Sequence, residues 1–210
     1  MSTPIETAGR GDLTAVANVL AEALVDDPVY ADILAPGGDR FVALRRFLTA
    51  YVRSTPPSRL AVDLVRDETG AVLGAAVWER SEVGRDSALL AQIPYAVRFL
   101  VALGPRGVLR AYRVQHALER FRPVEPHWYL MTCGVRTDAQ GAGVGGDLLR
   151  YRLRQLDDEG SAAYLESTTS DDRRLFDALG FVPGAMIQGL PTARPTAMFR
   201  TPARRARRSG

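Results

Sequence analysis

Lysine is absent from the sequence, so all 27 of its basic residues are arginines. This absence excludes a nucleoside-triphosphate P-loop, which requires a lysine after its second glycine. The single cysteine, Cys133, cannot form an internal disulfide. The longest apolar stretch, residues 88–103, contains Gln92, Pro94 and Arg98 and is shorter than the roughly 20 residues that a membrane-spanning helix needs. We therefore expect no membrane anchor and no disulfide framework.

The composition is that of an ordinary globular protein, with 46% hydrophobic and 24% charged residues among 210. The net charge is +3, but four arginines lie among the last seven residues: Arg204, Arg205, Arg207 and Arg208. Without them the chain is close to neutral, so the charge does not indicate nucleic-acid binding by the folded part. We expect one domain over residues 1–202 and a disordered basic tail over residues 203–210. The first residues carry no basic segment followed by an apolar run, which predicts a cytoplasmic protein.

A glycine-rich segment, residues 140–146, separates a strand-like stretch from a helical one. The preceding stretch, His127–Val135, is rich in aromatic and β-compatible residues and predicts a core strand. The following stretch has leucines at helical spacing, namely Leu148, Leu149, Leu153 and Leu156. Glycines allow backbone N–H groups to converge on an anion at a helix N-terminus, so this order predicts a phosphate-containing ligand.

A dinucleotide fingerprint is the first alternative for this loop. Gly141, Gly143 and Gly146 satisfy G-x-G-x-x-G, and Glu166 follows twenty residues later. However, about five polar residues separate the strand from the first glycine, whereas the dinucleotide fold places the glycine at the strand end. That fold also needs several further strands, and 44 residues remain after Glu166. The dinucleotide interpretation is therefore disfavoured.

The pattern Gln-x-x-Gly-x-Gly fits the loop better, through Gln140, Gly143 and Gly145. With a strand-like segment at 164–168 and a segment ending in Gly-Phe at 175–181, the chain resembles bacterial GCN5-related N-acetyltransferases over residues 127–200. The resemblance implies an α/β (α+β) fold with a mixed, mostly antiparallel sheet of about six to seven strands flanked by helices. It also implies acetyl-CoA as a cofactor, held between two strands that splay apart, and no metal.

The resemblance assigns cofactor contacts to three parts of the chain. The strand end contributes Cys133, Gly134, Val135 and Arg136, mainly through the main chain. The loop contributes Gln140, Gly141, Ala142, Gly143, Val144, Gly145 and Gly146. Asp172 and Phe176 follow in the later helix, where relatives commonly carry an asparagine and a tyrosine. The missing tyrosine removes the usual proton donor to the departing thiolate, which leaves a non-catalytic acyl-CoA-binding protein as an alternative.

Candidate bases for an acyl transfer are Glu166, Glu79 and His127. A carboxylate in or beside an apolar strand is expected to have a raised pKa, which suits it to accept a proton near neutrality. Glu166 can equally be a structural hydrogen-bonding partner. For His127 a surface residue at the start of its strand is the favoured alternative, and Glu79 can be solvated. Tyr30 lies in the segment that the resemblance places on the acceptor side. Cys133 is interpreted as a small buried residue rather than a nucleophile.

The remaining elements follow from periodicity and turn residues. We expect a strand at 5–8, a helix from Asp12 to about Asp27-Pro28, a helix from Asp39 to Pro56-Pro57, a hairpin of strands 60–66 and 72–78, and a helical segment at 87–121 broken at Gly104-Pro105. The sequence therefore predicts an acetyl-CoA-dependent N-acetyltransferase of a small amine or a peptide N-terminus, as a monomer or homodimer. Transfer of another acyl group is a further alternative.

Overall fold

A computed structural model of the chain describes residues 4–81 and 96–203. Within them, seven strands and six helices follow one another along the chain. The strands are β1 (Ile5–Thr7), β2 (Leu60–Arg66), β3 (Val72–Ser81), β4 (His127–Val135), β5 (Ala162–Ser167), β6 (Val182–Met186) and β7 (Thr196–Arg200). The helices are α1 (Leu13–Ala23), α2 (Pro28–Ile33), α3 (Arg40–Ser54), α4 (Ala96–Glu119), α5 (Val144–Glu159) and α6 (Ser170–Ala178).

The strands form one sheet in the order β1-β2-β3-β4-β5-β7-β6. The pair β4 and β5 is parallel, and the other neighbouring strands are antiparallel. The parallel pair needs a crossover, which α5 supplies between its two strands. The predicted α/β class and the mostly antiparallel sheet of six to seven strands are confirmed.

The strands β4 and β5 diverge after a short paired segment. Pairing covers His127 with Ala162, Trp128 with Ala163 and Tyr129 with Tyr164, although both strands continue beyond these residues. On the other side of β4, Val77 pairs with Thr132 and Trp78 with Leu130, so Met131 has no partner and forms a β-bulge. A bulge bends its strand and increases the local twist. The result is a gap between β4 and β5 at the carboxyl end of the parallel pair.

Helices cover both faces of the sheet and give two apolar cores. One face packs against α1, α2, α3 and α4, and its core includes the buried rings of Tyr30, Phe47, Tyr129 and Tyr164. The other face packs against α5 through the predicted leucine stripe, all four members of which are buried. Helical spacing therefore correctly predicted which side of α5 faces the sheet.

The segment around Pro28 differs from the expectation. The first helix ends at Ala23, and Pro28 is the first residue of α2 rather than a terminator. Proline is well tolerated at the first helical position because the N–H there has no intrahelical partner. Asp27 caps this short helix by accepting hydrogen bonds from the backbone N–H groups of Val29 and Tyr30.

Most other predicted boundaries are confirmed within a few residues. Asp39 caps α3, the hairpin of β2 and β3 forms, and α4 is broken at Gly104, whose φ is 66°. The part of the predicted helix before Ala96 lies outside the described residues. The expected basic tail also lies outside them, except for Ala203.

A buried ion pair fixes α5 to the sheet. Arg152 donates from Nε to Asp63 Oδ2 at 2.8 Å and from Nη2 to Asp63 Oδ1 at 2.5 Å. The Asp63 side chain is fully buried on β2 and that of Arg152 is nearly so. Burial raises the pKa of Asp63, and the hydrogen bonds from Arg152 oppose this effect. Such a pair is costly to break because one charge is then left buried without a partner.

We predict that Arg152→Met lowers the free energy of unfolding by about 3 to 5 kcal/mol, because it leaves the Asp63 carboxylate unpaired. The double variant Asp63→Leu/Arg152→Met should recover much of this loss. Urea denaturation followed by circular dichroism measures both. As a control, Arg150→Met on the same helix removes an exposed arginine and should cost less than about 1 kcal/mol. A single Arg152→Met variant as stable as this control would contradict the prediction.

Candidate functional site

The glycine loop adjoins the open end of the gap between β4 and β5. Gly141 and Gly143 have φ values of 81° and 85°, in the left-handed region that side chains with a Cβ rarely adopt. A Cβ at either position would meet no atom within 4 Å, so open space lies in front of both. Gly143 is the N-cap of α5 and supplies no side-chain cap. The first N–H groups of this 16-residue helix can therefore bind an anion.

The other loop residues differ from one another in their roles. Gln140 donates from Nε2 to the carbonyl oxygen of Val135 at 3.2 Å, which ties the loop to the end of β4. Ala142 is exposed and Val144 is the first residue of α5. A Cβ on Gly145 would lie 3.6 Å from Val135 Cγ2, and one on Gly146 would lie 3.1 Å from a guanidinium nitrogen of Arg150. The backbone therefore requires glycine at 141 and 143, whereas Gly145 lies in regular helix.

The residues at the end of β4 have structural roles and include no activated nucleophile. Burial raises the pKa of the Cys133 thiol to about 12, so the thiol stays protonated near neutrality. A Cβ on Gly134 would come within 2.8 Å of Ala23 Cβ, so this glycine allows α1 to approach the strand. Arg136 is engaged by two carboxylates, Asp67 at 2.9 Å and Asp138 at 2.7 Å.

Asp172 and Phe176 lie on α6, beyond the end of β5. Asp172 accepts a hydrogen bond from Thr169 Oγ1 at 2.6 Å, and its N–H donates to the same hydroxyl oxygen at 3.1 Å. These two bonds cap the helix. The Phe176 ring packs edge-on against Phe181, with 5.9 Å between centroids. No hydroxyl is present at position 176 to protonate a leaving group.

Glu166 projects from β5 on the same face as Tyr164. Its side chain is 5% exposed and Oε1 accepts a hydrogen bond from Arg122 Nε at 3.3 Å. The guanidinium of Arg122 also stacks over the Tyr129 ring at 3.8 Å. Burial, with the charge of Glu166, raises the pKa of the Tyr129 phenol well above its usual value. Glu166 is thus one half of a buried ion pair rather than an isolated carboxylate.

Glu79 lies directly across from Tyr129 in the register of β3 and β4. It accepts hydrogen bonds from the Tyr51 hydroxyl and from Arg59 Nη2, the latter at 2.9 Å. Its side chain is 21% exposed, so the interpretation of Glu79 as a solvated residue is wrong. Both of its oxygens are engaged by residues of the same protein.

His127 lies inside the protein and is 3% exposed, so the interpretation as a surface residue is wrong. Its Nδ1 is 2.7 Å from the carbonyl oxygen of Glu125, which indicates that Nδ1 carries the proton. Burial lowers the pKa of the ring, and the nearby Arg122 adds to this effect. The ring packs edge-on against Tyr164, at 5.7 Å. His127 Nε2 has no hydrogen-bond partner within the described ranges.

Tyr30 is a buried residue at the mouth of the gap, and its burial raises the pKa of the phenol. Its hydroxyl lies 3.8 Å from the sulfur of Met131, the bulge residue of β4. Three elements come together here: the helix α2, which carries Tyr30; the bulge of β4; and the end of β5. Asp32, also on α2, accepts hydrogen bonds from Thr192 and Ala193, so the loop between β6 and β7 is fixed beside them.

The sequence did not single out Tyr51 and Arg122, which hold Glu79 and Glu166, or Asp27, which caps α2. The Asp-Pro pair at 27–28 was a usable signal, since Asp before Pro favours a helix N-terminus. Tyr51 and Arg122 carry no local signal because their partners, Glu79 and Glu166, lie 28 and 44 residues away in the chain.

Residues 4–81 and 96–203 contain no cluster of three or more histidine, cysteine, aspartate or glutamate side chains that could hold a metal ion. Among the same residues, no helix combines the length and apolarity needed to cross a bilayer.

No family model matches the chain. Solved structures, however, match nearly all of it. A histone acetyltransferase HPA2 and related acetyltransferase from Corynebacterium glutamicum is 26% identical, with a TM-score of 0.77 over 98% of this chain and 99% of that chain. The chain has the fold of the GCN5-related N-acetyltransferases (GNAT). The resemblance inferred from the glycine loop is thereby confirmed.

More distant structures share the GNAT fold. The ribosomal-protein-S18-alanine N-acetyltransferase from Escherichia coli is 14% identical, with a TM-score of 0.57 over 99% of this chain and 98% of that chain. A polyamine N-acetyltransferase from Drosophila melanogaster is 16% identical, with a TM-score of 0.61 over 94% of this chain and 98% of that chain. All three similar structures are acetyltransferases, which supports the prediction that this protein is an acyltransferase.

We predict that Cys133 in the native protein reacts with iodoacetamide at pH 8 at least about 100-fold more slowly than in the urea-denatured chain. A thiol with a pKa near 12 has a far smaller thiolate fraction at this pH than a free thiol with a pKa near 8.5. Mass spectrometry follows the reaction without ambiguity because the chain has one cysteine. Equal rates in the native and denatured protein would contradict the raised pKa.

Proposed function

We propose that this protein is an acetyl-CoA-dependent N-acetyltransferase whose acceptor is a small amine or a peptide N-terminus. The observation that carries the proposal is the divergence of β4 from β5 beside a glycine loop that opens a long helix. The divergence leaves main-chain groups of both strands without partners from the neighbouring strand. An extended ligand that carries amide groups and a phosphate fits these two features together.

Coenzyme A fits the loop on physical grounds. The left-handed glycines 141 and 143 leave open space where side chains would otherwise stand, and the first N–H groups of α5 favour a pyrophosphate. The main chain of Cys133, Gly134, Val135 and Arg136 would line the cofactor along β4. Acetyl-CoA supplies an activated acyl group, and the protein must orient it, accept a proton from the amine and exclude water.

An amine acceptor is consistent with the polar groups that face the gap. Glu166, Glu79 and His127 are the base candidates from the sequence, and they lie on one face of the sheet around Tyr129 and Tyr164. The similar structures include enzymes named for polyamines, agmatine and a protein N-terminal alanine. These names support an amine as the acceptor class for this chain.

A non-catalytic acyl-CoA-binding protein is the second candidate, and Phe176 is the observation that favours it. Its ring packs on Phe181 and cannot donate a proton to a departing thiolate. A thiolate is nevertheless a fair leaving group near neutrality, so catalysis does not depend on an enzymic acid. Both candidate functions predict that the protein binds coenzyme A, but only the first predicts turnover of acetyl-CoA.

We predict that the purified protein releases free thiol from acetyl-CoA when amines are supplied and releases it far more slowly without them. A panel of alkylamines, arylalkylamines, polyamines and short peptides is tested with a thiol reagent, and mass spectrometry identifies the N-acetyl product. Binding of coenzyme A without amine-dependent thiol release across the panel would favour the non-catalytic candidate.

We also predict that Gly143→Val weakens coenzyme A binding by at least tenfold in titration calorimetry. The substitution places a β-branched residue at a left-handed position and a side chain in front of the helix N-terminus. Gly145→Ala is the matched comparison, because its Cβ would make an ordinary 3.6 Å contact and its backbone is helical. It should weaken binding less. Unchanged affinity of the Gly143→Val variant would contradict the assignment of the loop.

A further inference from the structure

The short helix α2 bridges the gap between the two diverging strands. Its N-cap, Asp27, accepts a hydrogen bond through Oδ2 from Thr168 Oγ1 at 2.7 Å, immediately after the end of β5. One turn later, the Tyr30 hydroxyl lies 3.8 Å from the sulfur of Met131 in the bulge of β4. The Asp27 carboxylate is therefore held at the point where the strands have separated, on the face that carries Glu166 and Tyr129.

Three of the carboxylates near the gap, Glu166, Glu79 and Asp27, differ in their partners. Glu166 pairs with Arg122, and Glu79 pairs with Arg59. Asp27 accepts hydrogen bonds from neutral donors: the N–H groups of Val29 and Tyr30, at 2.8 and 3.1 Å, and the hydroxyl of Thr168. Within residues 4–81 and 96–203, no arginine or histidine forms an ion pair with it.

The surroundings of Asp27 favour proton uptake. Burial raises the pKa of its carboxyl, the hydrogen bonds from Thr168, Tyr30 and Val29 oppose this effect, and the charge of Asp172 on α6 adds to it. The Tyr30 phenol on the same helix is another titratable group close by, and the charges of Asp27 and of Glu166 on β5 both raise its pKa. Asp26 is the preceding residue, but its side chain is 91% exposed and lies 3.6 Å from Arg40. Cys133, at the end of β4, is uncharged near neutrality.

We propose that Asp27, rather than either arginine-paired glutamate, is the general base that accepts the proton of the acceptor amine. The assignment rests on the proposed acetyltransferase function. The amine nitrogen forms a bond to the thioester carbonyl carbon, the carbon–sulfur bond breaks, and sulfur leaves with its electron pair as a thiolate. The amine proton passes to Asp27 Oδ2, directly or through one water, and is later released to solvent.

Asp27→Asn tests this role with little change in structure. Asparagine is as good an N-cap as aspartate, and its side-chain oxygen can still accept from the N–H groups of Val29 and Tyr30. Because burial disfavours the ionised form of Asp27, removal of the charge should not destabilise the fold at neutral pH. Asp39→Asn is the matched control, since Asp39 caps α3 in the same way and is exposed.

The measurement is kcat/KM against pH with an amine whose ionisation does not change across the range. In the wild type, kcat/KM should rise with pH as the base loses its proton. Asp27→Asn should lower kcat/KM by about 100-fold or more and abolish this rise, while coenzyme A affinity and the melting temperature stay near wild type. Asp39→Asn should keep the wild-type profile.

Thr168→Val separates titration of Asp27 from a merely structural role. The hydrogen bond from Thr168 lowers the pKa of Asp27, so its loss should move the rise in kcat/KM to higher pH. Asp172→Asn removes the neighbouring negative charge that raises the pKa of Asp27, so it should move the rise in kcat/KM to lower pH. Opposite shifts in the two variants support Asp27 as the titrating group.

Two results would overturn the assignment, and they have different meanings. If the wild type turns over amines and Asp27→Asn keeps both the wild-type rate and the rise of kcat/KM with pH, Asp27 is not the base. Loss of that rise in Glu166→Gln or Glu79→Gln would then assign the base to that glutamate. If the wild type binds coenzyme A but acetylates no amine, the proposed function fails and the assignment fails with it.

Discussion

The structure depends on the loss of pairing between β4 and β5 after only three residue pairs. A parallel pair normally continues as long as both strands do, because each backbone N–H and C=O needs a partner. Here the bulge at Met131 bends β4 away, and α2 contacts both strands across the opening. The sheet thus remains one sheet at its paired end and opens into a gap at the other, where we place the proposed acyl-CoA site.

The electrostatics of the site follow from that geometry. Carboxylates on the helix-covered face of the sheet need a positively charged partner, because burial of an unpaired charge is costly. Arginines from outside the sheet provide this partner for Glu166 and Glu79. Asp27 is placed differently, because a helix start and a hydroxyl satisfy its oxygens without a positive charge. Burial therefore raises the pKa of the Asp27 carboxyl without a positively charged partner among the described residues to offset it, which is the kind of environment that favours acid–base chemistry.

The sequence predicted the strand and the glycine loop of the proposed cofactor site, but it did not predict the contacts around the proposed acceptor side. The strand His127–Val135 and the glycine loop are local patterns, so residue type and spacing were sufficient. The bulge at Met131 has no local signature, since it depends on how β3 pairs with β4. Pro28 was interpreted as a stop because proline usually ends helices, whereas here it begins one. The partners of Glu166 and Glu79 are distant in the chain, so the sequence could name these acids but could not pair them.

Hydrogen–deuterium exchange with and without coenzyme A tests the central claim most directly, because it locates the ligand by its effect on backbone amides. The account predicts that saturating coenzyme A slows exchange in peptides covering residues 131–136 and 140–147, the end of β4 and the start of α5. Peptides from β1 and β2, on the far side of the sheet, should be unaffected. Protection that spares the glycine loop, or no protection at saturation, would contradict the claim that the gap between β4 and β5 is the acyl-CoA site.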